Sequence, residues 1–490
     1  MLTVNMSPTV VIAIVFSAAP LLAASCESLA SLSLPDTTIT SAQAVAANKD
    51  LPPYCRVAAT LKPSSDSDIK IEIWMPASGW NGKFEAVGNG GWSGSISTSA
   101  LASAVQRGFA GASTDTGHEG TSARFALDHP EKLVDYGYRA VHEMTAKSKA
   151  IIAAYYGKGA KLSYWNGCSA GGKQGLKEAQ RYPEDFDAII AGAPANNWTG
   201  RAAHALWIAQ AMHSNEASYI PPSKYALVHN AVLDACDARD GVKDGILDDP
   251  TRCQFDPAVL ACKGAESSAC LTAPQVEAAR RVYSGVANSR TKDQIFPGLE
   301  PGSEMGWAVM GGPQAFGIAQ EHFKYVVFKD PSWDYRTLNF DSDIAQAEKI
   351  DNGTINATDP NLKPFFAHGG KLLQYHGWND WQIAPLNSVN YYKTVADTLG
   401  GAGKVKDSYR LFMVPGMGHC SGSDGTDHFD MLTAMEQWVE NGKAPDQIIA
   451  SRVKDGAIDR TRPLCPYPQV AVYKGSGSTD EAANFACKTP

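Results

Sequence analysis

The chain has 490 residues, of which 44% are hydrophobic and 19% are charged, and its formal net charge is −8. This length exceeds that of one typical domain and predicts two or three lobes. The acidic balance and the lack of a basic run exclude nucleic acid as an expected partner, because phosphate binding needs clustered Lys and Arg. Beyond the amino terminus no apolar run is long enough for a transmembrane helix, so we expect a soluble protein with no membrane partner.

The first apolar segment predicts export. Residues 10–16 form its apolar core and residues 21–25 end it in small side chains, which is the pattern of a secretory signal peptide. We therefore assign residues 1–25 to a signal peptide and predict a secreted or periplasmic protein. The alternative is a lipoprotein modified at Cys26, although Ala23 stands where such signals usually have a larger aliphatic residue.

Strand and helix patterns alternate along much of the chain. Short apolar runs typical of strands occur at residues 69–74, 84–87, 109–112, 161–165, 186–194, 371–375 and 409–414. A helical pattern covers residues 136–153, and the alternation is that of an α/β fold with a mostly parallel sheet. The alternation of strand and helix patterns ends after Trp198. We predict a core made of residues 26–197 and 365–490, with a lid domain inserted at 198–364 over the nucleophile.

Residues 167–171 form the most informative stretch and read Gly-Cys-Ser-Ala-Gly. A G-x-S-x-G between a strand and a helix is the nucleophile elbow of a serine hydrolase, in which small neighbours allow the strained turn that lifts the serine hydroxyl. We predict Ser169 as the nucleophile and the backbone N–H of Ala170 as one donor of the oxyanion hole. A Gly/Ser-rich turn without chemistry is the alternative.

A histidine lies in a second glycine-rich loop, at residues 416–420, directly after an apolar strand. In an α/β-hydrolase the catalytic residues occur in the order Ser, Asp or Glu, then His, so His419 is the predicted base. Cysteines adjoin both the serine and this histidine. If Cys168 and Cys420 are bonded, their Cα atoms lie roughly 5.5–6 Å apart and the serine and histidine come within reach of each other. Two unrelated cysteines are the alternative.

The third member of a triad is expected between these two motifs, at the end of a strand. Residues 371–375 predict the strand, the turn is expected to begin at His376, and Asp380 lies where the loop leaves the sheet. There a carboxylate can orient the imidazole and stabilise the imidazolium. Asp424 and Asp427 compete, but they follow the histidine and so have the wrong chain order. A role as a simple loop cap is the alternative for the predicted aspartate.

Ten cysteines, an even number, indicate an oxidising compartment rather than a cytosolic protein with scattered thiols. Spacing alone does not prove their connectivity. A disulfide that closes a short loop stabilises the folded protein by about 2–4 kcal/mol, mainly because it restricts the unfolded chain. The natural short-loop pairs are Cys236 with Cys253, Cys262 with Cys270, and Cys465 with Cys487, after which Cys26 would pair with Cys55.

The loop between Cys236 and Cys253 is rich in aspartate and glycine. Carboxylates and backbone oxygens suit a hard cation. The loop is not an EF-hand, because its acid spacing differs and the terminal bidentate Glu is missing. Asp-Gly turns without a metal are the alternative.

These motifs resemble the tannase and feruloyl esterase family of secreted serine esterases, which also includes the hydrolase of mono(2-hydroxyethyl) terephthalate. The resemblance rests on Cys168-Ser169, on His419-Cys420 and on Asp380, and it extends over nearly the whole mature chain. It implies an α/β-hydrolase with a large inserted lid domain and the cysteine pairs given above. In this chain a tryptophan follows the aspartate, where many relatives have a proline, which bears on the shape of the loop.

The resemblance also implies a bound ion and an oxyanion hole. The glycine loop at residues 88–92 resembles the one that supplies the second oxyanion donor in the family, at Gly91, with Gly90 the nearest alternative. The ion would be a structural calcium. Its implied ligands are the carboxylates of Asp237, Asp240 and Asp244 and the carbonyl oxygens of Val242 and Ile246.

The implied reaction is hydrolysis of an aromatic acid ester through an acyl-enzyme. The first expectation is a feruloyl or other hydroxycinnamoyl ester, either small or linked to a polysaccharide. Galloyl esters, as for a tannase, and terephthalate monoesters are the alternatives within the family, and a secreted serine peptidase or an inactive binding protein are those outside it. In the insertion, Trp198, Trp207 and Phe316 are candidates to stack on the aromatic ring, with lid core as the alternative. Nothing in the sequence indicates an oligomeric state.

Overall fold

Residues 24–490 are described by a computed structural model. The predicted signal peptide falls almost entirely on residues 1–23, which lie outside the described residues. The strands are β1 Thr37–Val45, β2 Tyr54–Leu61, β3 Ile69–Pro76, β4 Lys83–Val87, β5 Ala110–Thr114, β6 Leu162–Cys168, β7 Ala188–Gly192, β8 Val286–Ala287, β9 Gln294–Phe296, β10 Lys371–Gly377, β11 Tyr409–Val414, β12 Ile448–Lys454, β13 Ala457–Leu464, β14 Val470–Tyr473 and β15 Phe485–Lys488. The α-helices are α1 Thr98–Gln106, α2 Pro130–Val134, α3 Ala140–Tyr156, α4 Ala170–Arg181, α5 Trp198–Met212, α6 Tyr225–Cys236, α7 Ala273–Ser284, α8 Ala308–Gly311, α9 Gly317–Glu321, α10 Ser342–Asp351, α11 Lys363–Ala367, α12 Leu386–Thr398, α13 Ala402–Val405 and α14 Met431–Asn441.

Nine strands form one sheet in the order β1-β2-β3-β5-β4-β6-β7-β10-β11. The six strands from β5 to β11 in this order are parallel, whereas β1, β2 and β3 are antiparallel to their neighbours. The predicted α/β fold with a mostly parallel sheet is confirmed. Strands β1 and β2 were not predicted. Strand β1 is an edge strand of alternating half-buried and exposed residues, and it has no continuous apolar run to identify it.

Helices cover both faces of the sheet. On one face α3, α4 and α12 pack against the strands, and on the other face α1 and α14 do so, which places an apolar layer on each side. Strands β5 and β7 are buried along their whole length as a result. The predicted helix at 136–153 begins later, at Ala140, because residues 135–139 form a single π-helical turn.

The segment 198–364 contributes no strand to the large sheet within the described residues. It consists of helices α5 to α10, the short hairpin β8–β9 and irregular turns. Its apolar core is continuous with Trp92, Tyr136 and Ala170, which belong to the loops and the helix beside the nucleophile elbow. The insertion therefore packs directly on the edge of the sheet where the predicted catalytic residues lie.

Candidate active site

The elbow has the predicted strand-turn-helix form. Strand β6 ends at Cys168, three residues beyond the expected end, and α4 begins at Ala170. Ser169 lies between them with φ 63° and ψ −119°, a conformation that costs free energy for a residue with a side chain and is common at functional turns. A Cβ on Gly88 would lie 2.5 Å from the Cα of Gly171, so the glycine loop can approach the helix only because neither residue has a side chain.

Three polar side chains from distant parts of the chain meet beside this turn. His419 Nε2 lies 2.9 Å from Ser169 Oγ, and His419 Nδ1 lies 2.8 Å from Asp380 Oδ2. These groups follow β6, β10 and β11, which are parallel and so present their carboxyl ends at one edge of the sheet. The arrangement is the hydrogen-bond geometry of a Ser-His-Asp triad, in which the imidazole can accept the serine proton and the carboxylate can stabilise the imidazolium.

The two competing aspartates, Asp424 and Asp427, have other surroundings than the imidazole of His419. Asp427 Oδ2 accepts a hydrogen bond from the N–H of Gly422, and its Oδ1 contacts the ring of His428 at 2.6 Å. Asp424 is exposed. Asp380 therefore has the contact with the imidazole of His419 that the chain order predicted.

A disulfide joins the two loops that carry the serine and the histidine. Cys168 and Cys420 are bonded, with their Cα atoms 6.1 Å apart and 252 residues between them in sequence. Since each cysteine adjoins its catalytic candidate, the bond limits how far Ser169 and His419 can separate. The other four bonds join Cys26 with Cys55, Cys236 with Cys253, Cys262 with Cys270, and Cys465 with Cys487.

These are the pairs that the spacing suggested and the family resemblance implied. The ten cysteines are all paired in this way, and no free cysteine occurs among the described residues. Cys26 is bonded to Cys55, which leaves no thiol there for the lipid of a lipoprotein.

Asp380 is fully buried and accepts four hydrogen bonds. The N–H groups of Gln382 and Ile383 donate to its Oδ1 at 2.7 and 3.0 Å, and two imidazoles contact its Oδ2. Burial by itself raises the pKa of this carboxyl, but the electrostatic attraction of the imidazoles of His419 and His376 and the hydrogen bonds that they donate outweigh that effect and hold the pKa well below its ordinary value. The carboxylate form is therefore the stable one in the folded protein.

The second imidazole belongs to His376, which the sequence analysis placed only at the start of a turn. That expectation is wrong, because β10 continues through Gly377 and His376 is a fully buried strand residue. Its Nε2 lies 3.0 Å from Asp380 Oδ2, and its Nδ1 lies 2.7 Å from the hydroxyl of Ser388 in α12. A lone histidine four residues before the predicted aspartate has no local pattern that would have marked it as a partner of that aspartate.

A buried cation also lies beside the triad and was not predicted. Arg201 in α5 is 2% exposed, and its Nε donates to the carbonyl oxygen of Gln382 at 3.3 Å. Its guanidinium carbon lies 4.9 Å from the ring centre of Phe316. Burial lowers the pKa of Arg201 to about 10, against the opposing effect of the Asp380 charge, so the side chain remains a cation near neutral pH.

The glycine loop lies next to the elbow and is held there by side chains. Asn89 donates its backbone N–H to Gln174 Oε1 at 3.0 Å, and Gln174 Nε2 donates to Asn89 Oδ1 at 3.1 Å, which ties the loop to α4. The carbonyl oxygen of Gly91 accepts a hydrogen bond from the Tyr136 hydroxyl at 2.6 Å. Gly91 has φ 51°, and a Cβ there would lie 2.8 Å from Ile318 Cδ1.

Of the two predicted oxyanion donors, Ala170 adjoins the nucleophile in the chain, and Gly91 lies in the loop that Asn89 ties to α4. Ala170 is the first residue of α4, so its N–H has no acceptor within the helix. Gly90 is exposed, and a side chain there would meet nothing within 4 Å, unlike one on Gly91.

The three aromatic candidates of the insertion occupy different places. Trp198 is buried and packs edge-on against Trp92 at 4.7 Å, so it belongs to the core. Trp207 donates its indole N–H to a backbone carbonyl and stacks against the guanidinium of Arg281, within the insertion. Phe316 is half-buried, contacts Arg201, and lies two residues before Ile318, whose carbonyl oxygen accepts the indole N–H of Trp92. Of the three, only Phe316 combines partial exposure with a position beside the site.

The acidic loop holds its aspartates in three different ways. Asp237 is buried and accepts the N–H of Gly245 at 3.1 Å. Asp240 accepts the N–H of Val242 at 2.9 Å. The carboxylate of Asp244 instead forms ion pairs with two arginines of β13, Arg460 and Arg462.

The oxygens of this loop are of the type that a hard cation prefers, but the three predicted carboxylates are not gathered at one point. Within residues 24–490 their oxygens do not all lie within 4.8 Å of one another. Asp248, which was not predicted, adds a further carboxylate, and burial together with the neighbouring negative charges raises the pKa of both Asp240 and Asp248. Four carboxylates of the loop thus lie near one another, only Asp244 among them has arginine partners within the described part of the chain, and oxygen donors of this kind fit calcium.

Fold and site together define an α/β-hydrolase with the hydrogen-bond geometry of a serine hydrolase. The chain belongs to the tannase and feruloyl esterase family, whose family model, described as tannase and feruloyl esterase, matches residues 55–488. It is therefore a carboxylic ester hydrolase.

Relatives match over most of their length. The chain is 39% identical to an uncharacterized esterase of Xanthomonas campestris, over 95% of this chain and 91% of the relative. It is 36% identical to a probable feruloyl esterase B-2 of Neosartorya fischeri, over 93% and 90% of the two chains. The crystal structure of feruloyl esterase B from Aspergillus oryzae superposes with a TM-score of 0.90 at 32% identity, and the match covers 94% of this chain and 99% of that one.

Proposed function

We propose that this protein is a feruloyl esterase, an enzyme that hydrolyses esters of ferulate and related hydroxycinnamates. The observation that carries the proposal is the contact of His419 with both Ser169 and Asp380, in a chain similar over nearly its whole length to proteins named feruloyl esterases. The substrate is a small or polysaccharide-linked ester of an aromatic acid.

The proposed reaction passes through an acyl-enzyme. His419 removes the proton of the Ser169 hydroxyl, and the oxygen attacks the ester carbonyl while Asp380 stabilises the imidazolium. The N–H groups of Ala170 and Gly91 stabilise the negative charge that develops on the carbonyl oxygen. His419 then gives the proton to the leaving alcohol, and water activated by the same imidazole releases the acid.

The aromatic ring of the acid is proposed to lie near Phe316. This side chain is half-buried beside Arg201, and Ile318, two residues further, contacts the glycine loop of the proposed oxyanion hole. An acyl group whose carbonyl oxygen points to that loop would extend towards these side chains. Stacking on Phe316 and a polar contact to the guanidinium suit a phenolic ring.

The test compares specificity constants for methyl ferulate and methyl gallate, with Ser169→Ala as the inactive control. We expect a clear preference for ferulate that is lost in the variant. A preference for gallate would make the enzyme a tannase with the same mechanism, and cleavage of a terephthalate monoester alone would assign it to that substrate. Hydrolysis of casein without hydrolysis of any aryl ester, or full activity of Ser169→Ala, would contradict the proposal.

We also propose a structural calcium ion at the acidic loop. The proximity of several carboxylates without ion-pair partners in residues 24–490 supports it. The proposed ligands are Asp237 and Asp240 and the carbonyl oxygens of Val242 and Ile246, and Asp244 would have to leave its arginines to join them. Chelation should lower Tm and calcium, but not magnesium, should restore it, whereas Asp240→Asn should lose this response. An unchanged Tm on chelation would contradict the site.

The protein is further proposed to be secreted or periplasmic. Five disulfides support an oxidising compartment, and no helix among residues 24–490 is both long and apolar enough to cross a bilayer. Expression of the full chain should give an exported protein whose first residue lies near position 26. Retention of residues 1–25 in the exported protein would contradict the predicted cleavage.

A further inference from the structure

The carboxylate of Asp380 is contacted by two histidines on the same oxygen. His419 Nδ1 lies 2.8 Å from Oδ2 and His376 Nε2 lies 3.0 Å from it. We infer that His376 is a positioning residue, which fixes the orientation of Asp380 and limits how strongly that carboxylate holds the proton on His419. This inference rests on the proposed function, because it assumes that His419 is the base.

The partners of His376 define one protonation state of its ring. Nε2 faces Asp380 Oδ2 and, at 3.0 Å, the carbonyl oxygen of Ile383, and both are acceptors, so the proton is assigned to Nε2. Nδ1 is then an acceptor, and the Ser388 hydroxyl donates to it at 2.7 Å. A neutral ring satisfies every partner, which matters because the side chain has no exposure to solvent.

The contacts join three separate elements. His376 belongs to strand β10, Asp380 to the turn after it, and Ser388 to helix α12. A hydroxyl on the helix therefore fixes a ring on the strand, and the ring fixes the carboxylate in the turn. Without the ring, Oδ2 would keep only the imidazole of His419, and the carboxylate would be free to rotate about the amides that hold Oδ1.

The electrostatic consequence has a definite sign. The charged or titratable groups that face Asp380 are His376, His419 and the buried Arg201. Loss of the His376 N–H removes one hydrogen bond to the carboxylate and leaves more of its negative charge to interact with His419. The imidazolium of His419 becomes more stable, so the acid limb of the pH–rate profile moves to higher pH.

The test measures pH profiles of kcat/KM with 4-nitrophenyl acetate for the wild type, His376→Leu, His376→Gln and Ser388→Ala. We expect His376→Leu to lower kcat by about tenfold or more with KM nearly unchanged, and to move the acid limb up by about one pH unit. His376→Gln retains an N–H near the position of Nε2 and should return the limb towards the wild type. Ser388→Ala should give a smaller shift of the same sign.

A lower kcat with the acid limb unmoved in folded His376→Leu would overturn the inference, as would a glutamine variant no better than the leucine variant. If His376→Leu does not fold, Ser388→Ala decides, and a limb unmoved in that variant overturns the inference. The proposed function fails separately, through absent turnover of methyl ferulate by the wild type. Activity towards 4-nitrophenyl acetate that depends on Ser169 would still allow the positioning test.

Discussion

Aspartates are held in opposite ways at the triad and in the acidic loop. Asp380 is fully buried, yet two backbone amides and two imidazoles surround it, and its pKa is lowered. In the loop, Asp240 and Asp248 are near other carboxylates, and the pKa of each is raised. Burial acts in the same direction at all three residues. The charges and hydrogen-bond donors around each carboxylate decide which form is stable.

The comparison separates a site that is complete within the protein from one at which we propose an added cation. At the triad every oxygen of Asp380 has protein donors, so its geometry does not depend on a ligand. In the loop Asp244 pairs with Arg460 and Arg462, whereas Asp237, Asp240 and Asp248 have no ion pair among the described residues, which supports the proposed cation.

The largest expected effect is that of removing the charge at Asp380. Asp380→Asn should lower kcat towards methyl ferulate by about 10⁴-fold, because an amide cannot stabilise the imidazolium and favours the wrong tautomer of His419. Asp427 follows His419 in the chain but does not contact it. The kcat of Asp427→Asn should therefore stay within about twofold of the wild type. An equal loss of activity in both variants would contradict the specific role of the contact between Asp380 and His419.

The next effect is that of opening the disulfide at the triad. The double variant Cys168→Ser with Cys420→Ser should lose about 2–5 kcal/mol of unfolding free energy and also lose activity, since the bond restrains both reacting loops. The matched pair Cys262→Ser with Cys270→Ser, only 8 residues apart, should cost less stability and leave kcat/KM unchanged. Denaturant unfolding and turnover measured on the same samples check both statements.

A further buried carboxyl group, Glu85 in β4, has fewer hydrogen-bond donors than Asp380. It accepts one hydrogen bond, from Asn166 Nδ2 at 3.1 Å, and burial raises its pKa from 4.5 to about 7. A raised carboxyl pKa means that the folded protein holds a proton which the unfolded chain has released, so stability falls as pH rises from about 4.5 to about 7. Glu85→Gln should remove this contribution, at most about 1.4 kcal/mol per pH unit.

Its control is Glu72→Gln in β3. The carboxyl of Glu72 is also partly buried, but hydrogen bonds from Arg56 and Trp74 overcome the effect of burial and lower its pKa. This substitution should leave the decline between pH 4.5 and 7 in place. An unchanged slope in Glu85→Gln would show that one amide donor is enough to keep a buried carboxylate ionised.

The smallest effect is expected in the acidic loop after chelation. Asp248→Asn should raise Tm in the chelated protein, by an amount equivalent to about 1 kcal/mol, because it removes one of the crowded negative charges. It should also reduce the gain in Tm on adding calcium. Asp249→Asn keeps the acceptor that caps Thr251 but also removes a negative charge beside Asp248, so it should give a smaller change of the same sign. A lower Tm of chelated Asp248→Asn would contradict the account of the loop.

The α/β fold could be predicted because buried parallel strands are short apolar runs, as in β5 and β7. Ser169 and His419 were identifiable because their glycine-rich turns have a steric cause that is visible in sequence. His376 and Arg201 were not, since a lone buried histidine or arginine has no local pattern. Their partners, Ser388 and Gln382, become neighbours only when strand, turn and helices are packed.

The partners of the acidic loop could not be predicted from the sequence either. Its composition identified oxygen ligands but not the arginines of β13, which lie more than 200 residues away and pair with Asp244. The ligand set implied by the family resemblance therefore included an aspartate that has another partner, and it did not include Asp248. Long-range ion pairs leave no trace in local spacing.

The bond between Cys168 and Cys420 would also determine when the enzyme becomes active. Thiols stay reduced in a cytosol, so a newly made chain would carry its nucleophile and base on unlinked loops until it reached an oxidising space. The same oxidation that completes the fold would then switch on ester cleavage. A single covalent link would thus act as an interlock, which keeps a hydrolase idle inside the cell that makes it.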